Sequence, residues 1–434
     1  MPAALQDETV APAFGEALRF WWKLGWISFG GTAAHIAIMH DELVVRKRWI
    51  GEPEFLHALS HCMMLPGPEA TQLAIYIGRK LHGVKGGVAA GTLFVLPSTA
   101  VLLALSVVYV RYGSVRWITA MIYGLRSAIV ALVTVALLRV ARRTLLMRLQ
   151  WIVAGCAFVA FTLLHVSLPL VMLAAIAIGV LLARVAPGLL GADEEQSGVA
   201  KDGLRIWKPL LRGVLRVTAV GCALWVIPLI GFLWNSRDFS FWWRLSTFFT
   251  RTAFVTIGGS YTVLPYVAHE VVTHYHWVTG AQMLDGFSLA ETTPGPLIIV
   301  VAYIGFMAAY NYFHGAMMPA VAALFVTVFY TFLPCFVFVF AGAPVIERTH
   351  GNKSVQGVLR LITAVVVAAM LTLVLFLARG ALFSAEGVAF ANLDVLAAVW
   401  VAVSFVLLQG FRVGAMGIVG LSLVFGLVRL WIVG

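Results

Sequence analysis

The sequence predicts an all-α polytopic membrane protein: an inverted-topology repeat with broken, re-entrant helices at Gly-Gly and Pro-Gly-Pro segments. Three observations carry this expectation. Of 434 residues, 61% are hydrophobic and only 11% charged, against roughly 25% charged in soluble domains, and apolar runs of about 20 residues recur throughout. Adding 228 to a residue number maps residues 30–68 onto a later stretch with ten identities in 39 ungapped positions. These include Gly30-Gly31 on Gly258-Gly259, Trp49 on Trp277 and Pro66-Gly67-Pro68 on Pro294-Gly295-Pro296. Finally, Lys and Arg segregate once the broken segments are allowed to turn back.

The net charge of +11 would suggest nucleic acid in a soluble chain. In a membrane chain it reports topology, and no nucleic-acid partner is expected. Residues 1–19 carry Asp7, Glu8 and Glu16 and lack the basic and apolar regions of a cleavable signal peptide. Cys62, Cys156, Cys222 and Cys335 are far apart in apolar stretches, so they read as packing residues. No HExxH, P-loop, GxSxG or paired-Asp motif is present. An enzyme is therefore not expected, nor any cofactor or metal.

In chain order, the first repeat runs over 1–190. The second part, 191–234, comprises a polar linker, Gly188 to Asp202 at its head, and one extra transmembrane helix at about 214–234. A second, inverted repeat fills 235–434. Unbroken spans are expected at about 87–109, 117–138, 151–164 and 167–183, and again at 316–340, 357–378, 388–408 and 413–433. The Gly-Gly segments (20–40 and 248–268) and the Pro-Gly-Pro segments (58–78 and 286–308) are different. Two prolines around a glycine interrupt a helix, because proline lacks an N–H and clashes with the preceding turn. If all four broken segments are re-entrant, 22 basic residues fall inside and six outside. Full crossing of all four would give 13 spans and split the early basic clusters Arg46-Lys47-Arg48 and Arg79-Lys80-Lys85. The run Arg46-Lys47-Arg48-Trp49 reads as an interfacial helix anchored by Trp49, or as a funnel concentrating anions at the inner mouth.

Backbone that is not helical at membrane depth must be buried in protein or line a polar cavity. Matched interruptions in two inverted halves point to a transporter's central site. A helix that starts at such a break offers free N–H groups and the positive end of its dipole, which suits an anion. The substrate-binding candidates are Ser28, Gly30, Gly31, Thr32, Pro66, Gly67, Pro68, Thr71 and Gln72 in the first half. In the second they are Thr256, Gly258, Gly259, Ser260, Thr293, Pro294, Gly295 and Pro296. The alternative reading gives the glycines to close helix packing and the prolines to simple kinks. Carboxylates in apolar segments line pathways or relay protons, so Glu291 and Glu69, which flank the two Pro-Gly-Pro turns, are candidates for proton coupling. His35 joins them or is a structural histidine. Asp285 enters the second turn or sits in the external interface. Arg126, alone in its span, counters a buried carboxylate, binds substrate or snorkels.

The stretch Ser28-Phe29-Gly30-Gly31, Ala34-His35-Ile36, Glu42, Arg48-Trp49, Leu65-Pro66-Gly67-Pro68 and Gln72 resembles the chromate ion transporter family. Gly258-Gly259, Glu270, Trp277 and Pro294-Gly295-Pro296 are similar to that family's second domain. The resemblance spans nearly the whole chain, as in the long, two-domain members. It implies a bacterial inner-membrane protein that exports cytoplasmic chromate in antiport with protons. The sequence departs from the family at Thr32, where proline is common, and at Met63, where glutamine is frequent. Both lie beside the candidate site and bear on substrate identity rather than fold. Sulfate, a tetrahedral dianion of similar size, stays open as an alternative. The expected partners are the oxyanion, protons and the lipid bilayer, with a homodimer as an option. A cysteine-accessibility map is expected to place residues 46–48 inside and 274–280 outside; both loops on one side would end the inverted arrangement.

Overall fold

The computed structural model describes residues 11–434 except 64, 186–202, 236–237, 257–259, 350–352, 384–391, 412 and 434. The expected linker and the second Gly-Gly pair, Gly258 and Gly259, lie outside the described residues. The described residues are helical apart from turns and one isolated bridge between Phe383 and Leu393. Among the described residues, seven helices are long and apolar enough to cross a membrane. The chain is an all-α polytopic membrane protein.

Each of the four broken segments is a helical hairpin whose two ends lie side by side. α1 (Phe14–Ile27) leads into α2 (Thr32–His40). Beyond α2 the chain returns to the start of α1, where Lys47 Nζ meets Glu16 at 2.8 Å and the Trp49 ring lies 5.4 Å from Phe20. α3 (Glu52–Cys62) leads into α4 (Glu69–Tyr112). Glu54 and Lys80 pair across this hairpin, and the rings of His61 and Tyr76 lie 5.9 Å apart. In the second half α9 (Phe239–Val255) and α10 (Ser260–His269) are followed by Tyr275 and Trp277, whose rings pack on Phe248 at 5.2 and 5.6 Å. α11 (Gly280–Glu291) is answered by α12 (Val300–Tyr312). There Asn311 Nδ2 donates to Gln282 Oε1 at 3.0 Å.

Small details of backbone geometry recur between the halves. Widened π-type turns at Asp41–Arg46 and Glu270–His274 follow α2 and α10. They close with Trp49 N–H on Leu43 O and Trp277 N–H on Val271 O, at 2.8 and 2.9 Å. The residue before each tryptophan, Arg48 or His276, is left-handed with φ of 50°. These tryptophans are only 6% and 7% exposed. The expected interfacial helix anchored by Trp49 is therefore corrected. Its charges are instead held by carboxylates, Arg46 by Asp41 and Glu42, and Lys47 by Glu16.

A His-Gly turn returns the second arm of each Pro-Gly-Pro hairpin into the next span. At His82-Gly83, α4 folds back on itself, with Gly83 at φ 63°. Its short arm (69–81) packs on its long arm (84–112) so closely that a Cβ on Gly78 would sit 2.5 Å from Gly86 O. At His314-Gly315, α12 folds back onto α13 (Met317–Thr349) in the same way.

The remaining helices form the outer body. α5 (Arg116–Thr144), α6 (Arg148–Thr162) and α7 (Leu168–Val185) end the first half. α8 (Gly203–Asn235) is the extra helix and packs on α13 and α9. α14 (Lys353–Leu382), α15 (Val395–Gln409) and α16 (Ala415–Val433) end the second. α5 packs on α14, α15 and α16, and α14 also packs on α6 and α7, so the two halves interlock. Backbones touch at Gly124 and Gly426, where a Cβ would collide with Ser422 O or Ala120 O, as small residues permit between membrane helices. α6 and α15 have only 15 residues each, about 22 Å of helix. α6 matches the length of the span expected at 151–164 but lies about two residues earlier, whereas α15 is shorter than the span expected at 388–408 because it starts only at Val395, behind the N-cap Asp394. Cys62 and Cys335 are buried, but Cys156 and Cys222 lie exposed on the outer faces of α6 and α8, so the packing role expected for all four holds for two.

Candidate central site and its relatives

A Pro-Gly-Pro stretch has one backbone N–H, that of its glycine, so the turn itself leaves a single donor to satisfy, apart from those of the helix that starts beyond it. In each half that donor reaches into the other half. Gly67 N–H donates to Thr256 O at 2.5 Å, and Gly295 N–H donates to Ser28 O at 2.6 Å. The first Pro-Gly-Pro turn is thus fastened to Thr256 at the end of α9, and the second to Ser28 at the end of α1, just before Gly30-Gly31, so the turns meet the ends of helices from the other half at two points.

Pro66, Gly67, Pro68, Thr71 and Gln72 line the first point with Thr256. Gly67 and Gly295 both have positive φ, 128° and 92°. A Cβ on Gly67 would lie 2.6 Å from Gln72 Nε2 and 2.9 Å from Cys335 Sγ. Gln72 Nε2 donates to Pro66 O at 2.5 Å, which holds the turn from within. Pro294, Gly295 and Pro296 form the second point with Ser28, Gly30, Gly31 and Thr32. Here the close neighbour is Ser98 of α4, into which a Cβ on Gly295 would run. His35 is fully buried with its ring 5.7 Å from Phe94. It faces the Ser28 main chain without closing a hydrogen bond of normal geometry.

Some expected roles change. The N–H groups of Gly67 and Gly295 are committed between the halves, so backbone donors for a ligand must come from the first turns beyond them, such as Glu69, Ala70 and Thr71. The hydroxyls of Thr256 and Thr293 donate to Thr252 O and Ala290 O, both at 2.7 Å, and have no proton left for an oxyanion. Ser28 Oγ, Thr71 Oγ1, Gln72 Oε1 and both ring nitrogens of His35 are buried with no hydrogen-bond partner among the described residues. Ser98 Oγ belongs with them. Its position after Pro97 in an apolar span was the available signal, a polar pair, Ser98-Thr99, beside a helix-interior proline. The Ser260 side chain lies outside the described residues. Glu69 opens α4, where a carboxylate is favoured by free N–H groups. Glu291 is the last residue of α11, half-buried, three residues before Pro294.

Arg126 and Asp285 form a pair. Arg126 Nε and Nη2 donate to the two carboxylate oxygens at 2.5 and 2.8 Å, and Tyr109 OH donates to Oδ2 at 2.8 Å. Asp285 is 4% exposed and Arg126 32%. This bridge ties α5 to α11. Among the described residues no group of three or more His, Cys, Asp or Glu is placed to hold a metal.

Paired breaks of this kind, gathered at the middle of an interlocked helical membrane protein, belong to the transporter class of architecture. The chain itself belongs to the Chromate transporter family, whose profile matches residues 15–180 and 243–427. It is 27% identical to the chromate transport protein of Cupriavidus metallidurans over 371 residues, 84% of this chain and 82% of that one. With the chromate transport protein of Pseudomonas aeruginosa it shares 31% identity over 352 residues, 80% and 76% of the two chains. The probable chromate transport protein of Synechococcus elongatus is 26% identical over 377 residues, 86% and 87%. No solved structure matches the chain.

Removing one partner of a buried ion pair leaves the other charge uncompensated, which costs about 3–5 kcal/mol. Arg126→Ala is expected to approach that loss, measured by thermal unfolding of the solubilised protein. Arg126→Ala/Asp285→Ala should lose less than the two single changes added together. Strict additivity would mean the bridge carries no coupling.

Proposed function

We propose that this protein is a secondary transporter, not an enzyme, which exports chromate from the cytoplasm across a bacterial inner membrane in exchange for protons. Membership of the family supports chromate as the substrate. The observation that carries the mechanism is the reciprocal crossing of the breaks, Gly67 on Thr256 and Gly295 on Ser28. Around it, buried hydroxyls and a histidine keep unused hydrogen-bonding capacity beside helix starts. An oxyanion there is met by N–H and O–H dipoles, and no charged side chain is needed. On this reading the four hairpins enter and leave the membrane on one side each, the first two from the cytoplasm and the last two from outside.

Unequal packing of the two halves supports a carrier with one side closed. Residues 283–290 of α11 are buried throughout and α11 is bolted to α5 by Asp285 and Arg126. In the first half, α3 leaves Leu56 and Met63 48% and 51% exposed. Sulfate shares chromate's shape and charge and remains the competing substrate.

Two outcomes are expected in everted membrane vesicles given labelled chromate. Gly67→Val and Gly295→Val should each abolish uptake at near-normal expression, since a branched side chain strikes Gln72 and Cys335 in one case and Ser98 in the other. Well-expressed variants with full uptake would remove the breaks from the transport path. The second concerns coupling. An ionised carboxylate beside a dianion is repelled and a neutral one is tolerated, so the protonation state of Glu291 and the occupancy of the anion site are linked. Glu291→Gln should keep chromate exchange and sulfate competition but lose stimulation by an imposed pH gradient, with a weaker effect for Glu69→Gln. Gradient-driven uptake at normal rates in Glu291→Gln would return that residue to a structural role.

A further inference from the structure

A polar cavity of about 700 Å³ opens between the ends of α4, α5, α11, α12 and α16, on the side that the distribution of basic residues assigns to the exterior. Two other cavities, of about 830 and 750 Å³, are walled mostly by aliphatic and aromatic side chains along lipid-facing helices. The polar one is lined by Arg116, Arg126 and Arg429 with a single carboxylate, Asp285. Three arginines in one cavity run against the topology, for Arg116 is one of only six basic residues in the outer loops, and Arg126 and Arg429 are the two that fall within spans.

Among the side chains that line the cavity the charge is not balanced, and the next carboxylate, Asp394, stands behind Tyr123. Asp285 is engaged by Arg126 through both oxygens and accepts a further hydrogen bond from Tyr109. Neither Arg116 nor Arg429 forms an ion pair among the described residues. Arg429 is stacked over the Tyr123 ring at 3.9 Å, and its Nε is buried with no hydrogen-bond partner among the described residues. Tyr123 is itself fixed, donating to Asp394 at 2.7 Å. The guanidinium is therefore held in place by packing, with donors left over. A planar fork of N–H donors matches two oxygens of a tetrahedral anion, and two uncompensated guanidinium groups match a dianion.

We propose that this cavity is a second, outer binding site for a tetrahedral dianion, with Arg116, Arg126 and Arg429 as its ligands. It rests on the oxyanion-transport reading and adds to it the place where the anion pauses before leaving, or from which external anion competes. Arg126 is shared there between Asp285 and the anion, so the bolt between α5 and α11 and the occupancy of the cavity are linked.

The test uses sulfate and tungstate, since chromate would oxidise the thiol reporter. In a variant with Cys62, Cys156, Cys222 and Cys335 replaced by alanine, Ser114→Cys is placed at the cavity rim and labelled with a membrane-impermeant thiol reagent in phosphatidylcholine nanodiscs. Either anion should slow labelling several-fold. Protection should vanish in Arg116→Gln/Arg429→Gln, survive in Arg111→Gln and strengthen in Asp285→Asn. A lipid phosphate has the same chemistry, so the measurement is repeated in discs containing phosphatidylglycerol. Protection by that lipid and not by the free anions would assign the arginines to a headgroup and overturn the proposal. A second readout keeps the native cysteines: sulfate on the outer face of proteoliposomes should inhibit chromate export, with the half-inhibitory concentration raised about tenfold in Arg116→Gln/Arg429→Gln. Export with no such shift overturns the outer site and leaves transport standing. No export from the unsubstituted protein would instead fail the transport reading itself.

Discussion

Two backbone hydrogen bonds, Gly67 N–H to Thr256 O and Gly295 N–H to Ser28 O, make the rest of this structure possible. An interrupted helix at membrane depth is tolerated only if its freed polar groups find partners in protein. Proline on both sides of each glycine reduces the donors of the turn itself to one, and the opposite half accepts it. Neither half can satisfy its own break in this way. The interlocking of α5 with α14 to α16, and of α14 with α5 to α7, serves the same end, because it fixes the two halves in the register that brings the breaks together.

The hairpins follow from that constraint. A segment interrupted at mid-depth can continue across or return, and here each return is secured at its open end by contacts specific to it. Lys47 with Glu16 and Lys80 with Glu54 do so in the first half. Packing of the Tyr275 and Trp277 rings on Phe248 at 5.2 and 5.6 Å and the amide contact of Asn311 with Gln282 do so in the second. Ion pairs thus close the hairpins of the first half, and aromatic and amide contacts close those of the second. The same backbone plan is stabilised by different chemistry in the two halves.

Much of this was legible in the sequence because glycine and proline act locally. The breaks at Gly30-Gly31, Pro66-Gly67-Pro68 and Pro294-Gly295-Pro296 can be placed without knowing any neighbour. What could not be read depends on partners far along the chain. Arg126 and Asp285 each stand out as charged groups in apolar surroundings, yet only the packing of α5 on α11 pairs them. The hydroxyls of Thr256 and Thr293 look like donors in sequence, and the helix geometry turns them onto carbonyls one turn back. Trp49 looks like a membrane anchor beside three basic residues. The left-handed turn at Arg48 instead folds it against Phe20. Ser98 passes as one polar residue in a greasy span until Gly295 is brought against it.

The distribution of charge through the molecule has a physical consequence for a dianion. Around the crossing of the breaks, the unused hydrogen-bonding groups belong to Ser28, His35, Thr71, Gln72 and Ser98, and none is a lysine or arginine. A site made of dipoles holds an anion less tightly than one made of fixed cations would. A conducting or carrying path needs binding strong enough to admit the ion and weak enough to let it go. Guanidinium groups stand instead in the polar cavity between the ends of α5 and α16, and lysines and arginines crowd the loops at 46–48 and 79–85. On the proposed transport reading, full charges at the mouths and only partial charges at the centre would draw a doubly charged ion out of water without trapping it halfway.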